Sequence, residues 1–271
     1  MILEPGQVAV VTGAASGIGR ALAHAFARRG LTVVAVDVEE GPLNAIVAEL
    51  HGLGVPAQGQ RVDVRDPEAV TALAEAVVTA YGRVDVVCNN AGVVTPRVLS
   101  WEVSAADARW TLEVNLLGVL NGIRAFVPYL VAAGRGHVVN TASVAGLTPV
   151  PGGSTIAYTA SKYAVVGASE TLALELAHLA PEVGVTVLCP GPVPSRILEA
   201  GRNRPAEAGA SSVGVGALPA VALGMTQVPA EQVAELVCAA IEARRALVVT
   251  AADVAELARA RVRRLLAELD G

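Results

Sequence analysis

Short apolar runs rich in valine alternate along the chain with longer stretches in which apolar residues recur at helical spacing. Runs of this length are typical of buried strands, and the longer stretches are typical of helices. The predicted strands are VAVV (8–11), LTVVAV (31–36), QGQRV (58–62), VDVVC (84–88), HVVN (137–140), VTVLC (185–189) and ALVVT (246–250), with QGQRV the weakest. The predicted helices are 17–29, 41–51, 67–81, about 105–132, 158–179 and an amphipathic tail at about 252–268.

Continuous apolar strands separated by helices indicate a parallel sheet that is covered by helices on both faces. We therefore predict the α/β class, a doubly wound parallel sheet of about seven strands. No internal repeat or linker interrupts the alternation. Because 271 residues fit one large domain, we predict a single domain over residues 1–271.

Charge and composition narrow the classes of partner. The formal net charge of -5 disfavours nucleic acid, which attracts basic surfaces. The first residues, MILEPGQVAVVTG, contain no Lys or Arg and lead into a strand, so we expect no signal peptide. The longest charge-free stretches are broken by Pro, Gly and Ser, so we expect no membrane span and a cytoplasmic protein.

Metal-ligating residues are scattered. The three cysteines, Cys88, Cys189 and Cys238, lie far apart, and two of them end strand-like runs where a small buried residue is the simplest interpretation. The four histidines form no HxxH or HExxH pair. We therefore predict no metal site.

A glycine-rich turn, TGAASGIG, follows the first strand and opens the first predicted helix. Such a turn leaves amide N–H groups at a helix N-terminus, where the macrodipole favours a pyrophosphate. The second strand ends in Asp37, whose carboxylate can accept hydrogen bonds from ribose hydroxyls and would repel a 2′-phosphate. The glycine spacing alone also fits a turn that merely packs tightly, but together with Asp37 it favours NAD.

Three further motifs follow in order: NNAG (89–92), YTASK (158–162) and CPGPVPS (189–195). With TGxxxGxG and Asp37, they resemble the short-chain dehydrogenase/reductase family over roughly residues 6–195. The resemblance implies a Rossmann-type domain that moves a hydride between NAD and a carbon bearing a hydroxyl or carbonyl group. It also implies a homodimer or homotetramer built on the two long helices.

The YTASK motif predicts acid/base chemistry. Tyr158 and Lys162 are four residues apart on a helix, so they share one face, and the Lys ammonium should favour the Tyr phenolate. The resemblance adds Ser143, which would orient the substrate oxygen, and Asn115, which would hold a water beside Lys162. Three residues, Pro151 to Gly153, lengthen the usual spacing between the Ser and the Tyr, and Ser154 is the alternative to Ser143.

The resemblance also implies the cofactor contacts. Gly13, Ser16, Gly17, Ile18 and Gly19 would line the pyrophosphate. The other predicted contacts are Asp37 on the adenosine ribose, Asp63 and Val64 beside adenine, Asn90 and Ala91 in the cleft, Lys162 on the nicotinamide ribose, and Pro190, Gly191, Val193 and Ser195 around the nicotinamide. The segment RVDVRDP, which contains Asp63, equally fits a strand end followed by a helix cap.

The substrate should lie under a lid formed by residues 195–230. Its stretch from Ala208 to Ala230 contains no charged side chain, so we expect a neutral, largely hydrophobic alcohol or ketone, alicyclic or steroid-like in shape. Arg196, Arg202 and Arg204 precede this stretch and could instead turn inward to hold an anion. Two alternatives remain: a non-catalytic NAD-sensing or scaffolding protein, and an NADPH-dependent carbonyl reductase.

Overall fold

The computed structural model describes residues 1–150, 156–212 and 224–270. All its strands form one parallel sheet in the order β3-β2-β1-β4-β5-β6-β7. The strands are β1 (Val8–Thr12), β2 (Thr32–Asp37), β3 (Ala57–Arg61), β4 (Val86–Asn89), β5 (Gly136–Thr141), β6 (Val183–Cys189) and β7 (Leu247–Val249). The helices are α1 (Gly17–Ala27), α2 (Glu40–Gly52), α3 (Pro67–Tyr81), α4 (Ala105–Leu112), α5 (Gly118–Ala133), α6 (Ile156–Leu179), α7 (Ala230–Glu242) and α8 (Ala252–Leu269).

The predicted fold class and all seven predicted strands are confirmed. Two features differ from the sequence prediction. The helix expected over 105–132 consists of α4 and α5 joined by a π-helical turn at Glu113–Leu117. The sequence prediction has no counterpart of helix α7, because it assigns a lid up to residue 230 and no element between that lid and the strand at 246–250.

Helices cover both faces of the sheet. On one face, Leu22 and Phe26 of α1 pack with Ile46 of α2 and the buried side of α7. On the other face, α3, α5 and α6 pack against the alternate valines of the strands, with Phe126 and Leu130 of α5 fully buried. Because successive strand residues point to opposite faces, valine at most strand positions supplies both cores.

The strand order reverses direction between β1 and β4, which creates a crevice at the carboxyl ends of these strands. Thr12, at the end of β1, fixes the chain that leaves β4. Its Oγ1 accepts hydrogen bonds from the backbone N–H groups of Asn90 (2.9 Å) and Ala91 (3.0 Å). Its carbonyl oxygen accepts another from Asn90 Nδ2 (3.0 Å). The two loops that border the crevice are therefore joined directly.

One helical stretch, Ala105–Ala133, is long and apolar enough to cross a membrane by length and composition alone. This is weak evidence, since core helices meet the same criteria. Phe126 and Leu130 in this stretch belong to the core that α5 forms with the sheet. The burial of this face accounts for part of the apolar composition of α5, whereas Leu120 on the same helix is exposed.

Candidate active site

A cavity of about 570 Å³ lies along the carboxyl ends of the central strands. It is lined by the turn after β1, by the end of β2, and by the segments that follow β4, β5 and β6. Most predicted site residues border it: Gly13, Ser16, Gly17, Ile18, Asp37, Asp63, Val64, Asn90, Ala91, Ser143, Tyr158, Lys162, Pro190, Gly191, Val193 and Ser195. Gly19 and Asn115 lie behind this lining, in contact with Gly13 and Val93 respectively.

The turn after β1 requires glycine for space and for conformation. Gly13 and Gly17 have φ values of +67° and +51°, a region that side chains other than glycine rarely adopt. A Cβ on Gly19 would lie 2.1 Å from the carbonyl oxygen of Gly13. Helix α1 begins at Gly17, so its N-terminal amides border the cavity. This arrangement fits a pyrophosphate, because bare backbone can approach the anion closely.

Asp37 ends β2, and backbone amides orient its carboxylate. Oδ1 accepts hydrogen bonds from Val38 N (2.8 Å) and Glu39 N (3.1 Å), and Oδ2 accepts one from Ala15 N (3.0 Å). Because a carboxylate offers about four acceptor positions, Oδ2 keeps capacity for a ribose hydroxyl. The residues therefore fit the adenosine half of a nicotinamide cofactor.

Asp63 and Val64 are placed beside the cavity in different ways. The Asp63 carboxylate is engaged by Arg65, whose Nε and Nη2 donate to Oδ2 at 2.9 and 2.7 Å. Asn121 Nδ2 donates to the carbonyl oxygen of Val64 at 2.8 Å and fixes its position. Val64 thus supplies an apolar wall, whereas Asp63 chiefly holds Arg65.

The segment after β6 packs directly on the glycine turn. A Cβ on Gly17 would lie 2.7 Å from Ser195 Cβ, and Gly191 N donates to Thr250 Oγ1 at 3.0 Å. A Cβ on Gly191 would also meet Val254 of α8 at 2.6 Å. Sequence reasoning missed this support from the C-terminal tail, for which the sequence offers no local signal.

Ser143, Tyr158 and Lys162 come together at the floor of the cavity. Ser143 precedes a 3-10 turn at Val144–Gly146, and its hydroxyl is hydrogen-bonded to Tyr158. The Lys162 ammonium lies 5.6 Å from the centre of the Tyr158 ring and donates to the carbonyl oxygen of Thr141 at 2.8 Å. Lys162 is only 2% exposed. The spacing prediction that Tyr158 and Lys162 share one face is therefore met.

Burial dominates the pKa values of this pair. It raises the pKa of Tyr158, and the hydrogen bond with Ser143 offsets only part of that rise. It also lowers the pKa of Lys162 to about 8. Desolvation therefore disfavours the phenolate more than the hydrogen bond with Ser143 favours it, whereas the sequence prediction considered only the favourable effect of the Lys162 ammonium.

Asn115 lies in the π-helical turn and is fully buried. Its side chain accepts from Val93 N (2.8 Å) and donates to the Val93 carbonyl oxygen (2.9 Å) and to Ser161 Oγ (3.2 Å). A Cβ on Gly92 would lie 3.5 Å from Asn115 Oδ1 and 3.6 Å from Lys162 Nζ. Asn115 and Lys162 therefore border the same small space beside Gly92.

The three arginines that precede the uncharged stretch 208–230 of the lid are paired with carboxylates. Arg196 and Arg202 contact Glu39, and Arg204 Nη1 lies 2.6 Å from Oδ1 of the buried Asp107. The alternative serine, Ser154, the spacing residues 151–153 and the lid residues 213–223 lie outside the described residues. Met225 and Gln227, on the far side of that gap, line the cavity.

Comparison with known proteins gives consistent matches. The family model for short chain dehydrogenases matches residues 7–205. The chain is 40% identical over 243 residues to the 1-deoxy-11-beta-hydroxypentalenate dehydrogenase of Streptomyces arenae. The aligned region covers 88% of this chain and 80% of the relative.

Solved structures agree with this match. A short chain dehydrogenase/reductase from Burkholderia phymatum in complex with NAD aligns with a TM-score of 0.91 and 38% identity, over 99% of this chain and 97% of that chain. The alcohol dehydrogenase of the archaeon Thermococcus sibiricus, complexed with 5-hydroxy-NADP, aligns with a TM-score of 0.71 and 28% identity, over 90% and 95% of the two chains. On its motifs, its fold and these similarities, the chain belongs to the short-chain dehydrogenase/reductase family.

Proposed function

We propose that this oxidoreductase is an NAD-dependent dehydrogenase that interconverts a secondary alcohol and a ketone, with Tyr158 as general acid/base. The observation that carries the proposal is the meeting of Ser143, Tyr158 and Lys162 in the cavity that also contains the glycine turn and Asp37. A bound nicotinamide would supply the hydride acceptor or donor. The protein residues then have to bind the substrate oxygen and move one proton.

During oxidation, Tyr158 would take the proton of the substrate hydroxyl while Ser143 hydrogen-bonds the same oxygen. Burial raises the pKa of Tyr158, so formation of the phenolate requires positive charge nearby. Lys162 supplies that charge from within the chain, since its pKa of about 8 leaves it cationic at neutral pH. Asn115 borders the same space as Lys162, which supports a role in passing the proton to solvent.

The preference for NAD rests on Asp37. Its carboxylate lies at the end of β2 and lines the cavity where an adenosine ribose would lie. A 2′-phosphate at that position would face a negative charge at short range, and this repulsion disfavours NADP. The Burkholderia phymatum structure contains NAD, which supports the same choice, whereas the Thermococcus sibiricus structure contains an NADP derivative.

A neutral, largely hydrophobic substrate is favoured by apolar side chains in the cavity that contains Tyr158. Val93, Val94, Trp110, Val144 and Met225 line it. Arg202 and Arg204 of the lid are paired with Glu39 and Asp107, so an anionic substrate that bound these arginines would have to displace the ion pairs. The name of the Streptomyces arenae relative denotes a hydroxyl-bearing carboxylate, so the substrate test must include anions.

The test is a panel of secondary alcohols and ketones, with and without a carboxylate, assayed with NAD or NADH by the absorbance of reduced nicotinamide. We expect turnover with NAD and a higher kcat/KM for the neutral member of each matched pair. A clear preference for the carboxylate would refute the substrate class and leave the dehydrogenase intact. NAD binding without turnover on any member would favour the sensing or scaffolding alternative.

We also propose a homodimer or homotetramer formed through α5 and α6. Leu120 on α5 is 39% exposed and Leu174 on α6 is 71% exposed, so these helices present apolar side chains to solvent. Light scattering after size-exclusion chromatography measures the assembly directly. A monomer at working concentration would refute this proposal.

A further inference from the structure

Arginines gather at the adenosine end of the cavity. Arg65, Arg196 and Arg202 line it together with Asp37. A neighbouring cavity of about 440 Å³ is lined by the same Arg65 and Arg202 and, in addition, by Arg61 and Arg204. Arginine is well suited to bind phosphate through its forked donors. This end of the cavity therefore has the residues of a phosphate site directly beside the carboxylate that should repel one.

Glu39 occupies the donors of two of these arginines. Its Oε1 accepts hydrogen bonds from Arg202 Nε (3.0 Å) and Asn203 Nδ2 (2.9 Å), and its Oε2 lies 3.4 Å from Arg196 Nη1. The hydrogen bond from Arg202 holds the pKa of Glu39 below its usual value, so the carboxylate is ionised at neutral pH. Its side chain is 16% exposed.

Glu39 lies close to Asp37, so its pairing with Arg196 and Arg202 bears on how the cofactor would bind. Glu39 N donates to Asp37 Oδ1 at 3.1 Å, so the two acidic residues are joined at the end of β2. Asp37 is held by backbone amides, whereas Glu39 reaches across to the segment that follows β6. The two carboxylates can therefore act differently on the same ligand.

We propose that Glu39 is a second determinant of cofactor choice, which acts by neutralising Arg196 and Arg202. The inference rests on the proposed function, which assigns this end of the cavity to adenosine. Asp37 disfavours a 2′-phosphate by direct repulsion. Glu39 disfavours it by withholding Arg202 and, together with Glu199, whose Oε2 lies 3.1 Å from Arg196 Nε, by withholding Arg196. Loss of the Glu39 charge leaves one more unit of positive charge at this end of the cavity.

The decisive variant is Glu39→Gln, because the amide oxygen still accepts from Arg202 while the charge is lost. Glu39→Gln removes one unit of negative charge near the position of a 2′-phosphate. In a medium with a dielectric constant close to that of water, the lost repulsion between that charge and the phosphate corresponds to about 5-fold in affinity. We therefore expect the affinity for adenosine 2′,5′-bisphosphate, relative to AMP, to rise about 5-fold at low salt. The rise should shrink as salt is added, because exposed charges are screened.

Glu235→Gln is the matched control. Glu235 also holds two arginines, with Arg29 Nη2 at 2.7 Å and Arg28 Nη2 at 3.1 Å, but it lies on α7. The Glu235→Gln variant loses the same charge and a similar pair of ion-pair contacts, but Glu235 lines neither of the two arginine-lined cavities. Glu39→Asp keeps the charge and should leave the ratio of the two affinities close to that of the wild type.

Calorimetric titration of the full chain with AMP, adenosine 2′,5′-bisphosphate, NAD and NADP measures all four affinities. The proposal is overturned if Glu39→Gln changes the ratio no more than Glu235→Gln, or if AMP and the bisphosphate weaken equally, which would indicate a purely structural role. If the wild type prefers NADP and Glu39→Gln strengthens NADP further, the NAD assignment fails while the role of Glu39 stands. Failure of the wild type to bind any of the four ligands refutes both.

Discussion

Gly19→Ala is the sharpest test of the cofactor cradle, because the structure fixes how far the new methyl group would intrude. The added Cβ would lie 2.1 Å from the Gly13 carbonyl oxygen and 2.6 Å from Asn90 Nδ2. Ordinary contacts between such atoms begin at roughly 3.4 Å, so the two segments must move apart by about 1 Å. Gly13 has little room to give, since a Cβ on it would already meet Ala91 Cα at 2.9 Å.

The displacement has two expected costs. Overpacking of this kind lowers the free energy of unfolding by about 1–3 kcal/mol. Movement of the turn also misplaces backbone amides that should bind the pyrophosphate, and one hydrogen bond to a charged group is worth about 1.5–3 kcal/mol. Since 1.4 kcal/mol corresponds to a factor of ten, the affinity for NAD should fall at least about 10-fold.

Calorimetric titration with NAD, together with thermal unfolding, separates these two effects. Gly52→Ala on α2 is the control, because a Cβ there meets nothing within 4 Å. It should bind NAD as the wild type does and unfold at a similar temperature. If Gly19→Ala unfolds at a lower temperature but keeps the wild-type affinity for NAD, the glycine turn does not hold the pyrophosphate, and the reasoning fails.

Two further predictions concern titrating side chains. Tyr158→Phe removes the ionisable oxygen, so kcat should fall about 10²-fold or more while NAD affinity stays unchanged; near-normal turnover would rule out Tyr158 as acid/base. His137 is buried and its pKa is lowered from 6.5 to about 3, so the unfolded chain binds the extra proton first as pH falls. The free energy of unfolding should therefore decrease from pH 6.5 towards 3, by up to about 1.4 kcal/mol per unit from this residue, and chemical denaturation of His137→Gln should show a shallower decrease.

The fold could be predicted from the sequence because each strand and turn is recognisable from a few adjacent residues. A valine-rich run such as TVVAVD is buried on both faces wherever it lies in a parallel sheet, so β2 could be located without knowledge of its neighbours. The conformation of the glycine turn is equally local, since the positive φ of Gly13 and Gly17 and the approach of Gly19 to the Gly13 carbonyl oxygen involve only a few adjacent residues. The π-helical turn at Glu113–Leu117 was missed because apolar spacing does not distinguish it from continuous helix.

The sequence by itself thus determined the seven strands, the doubly wound arrangement and the residues that form the floor of the cavity. Only the tertiary structure determined the charge pairing and the exclusion of water around those residues. Arg202 meets Glu39 across 163 positions, and Arg204 meets Asp107 across 97, so no local pattern could show that both charges are neutralised. The pKa of Tyr158 likewise depends on how completely its neighbours exclude water, which the spacing of Tyr158 and Lys162 does not specify. Periodicity determines where an element forms and which face it buries, whereas charge pairing and desolvation depend on segments that meet only after the chain has folded.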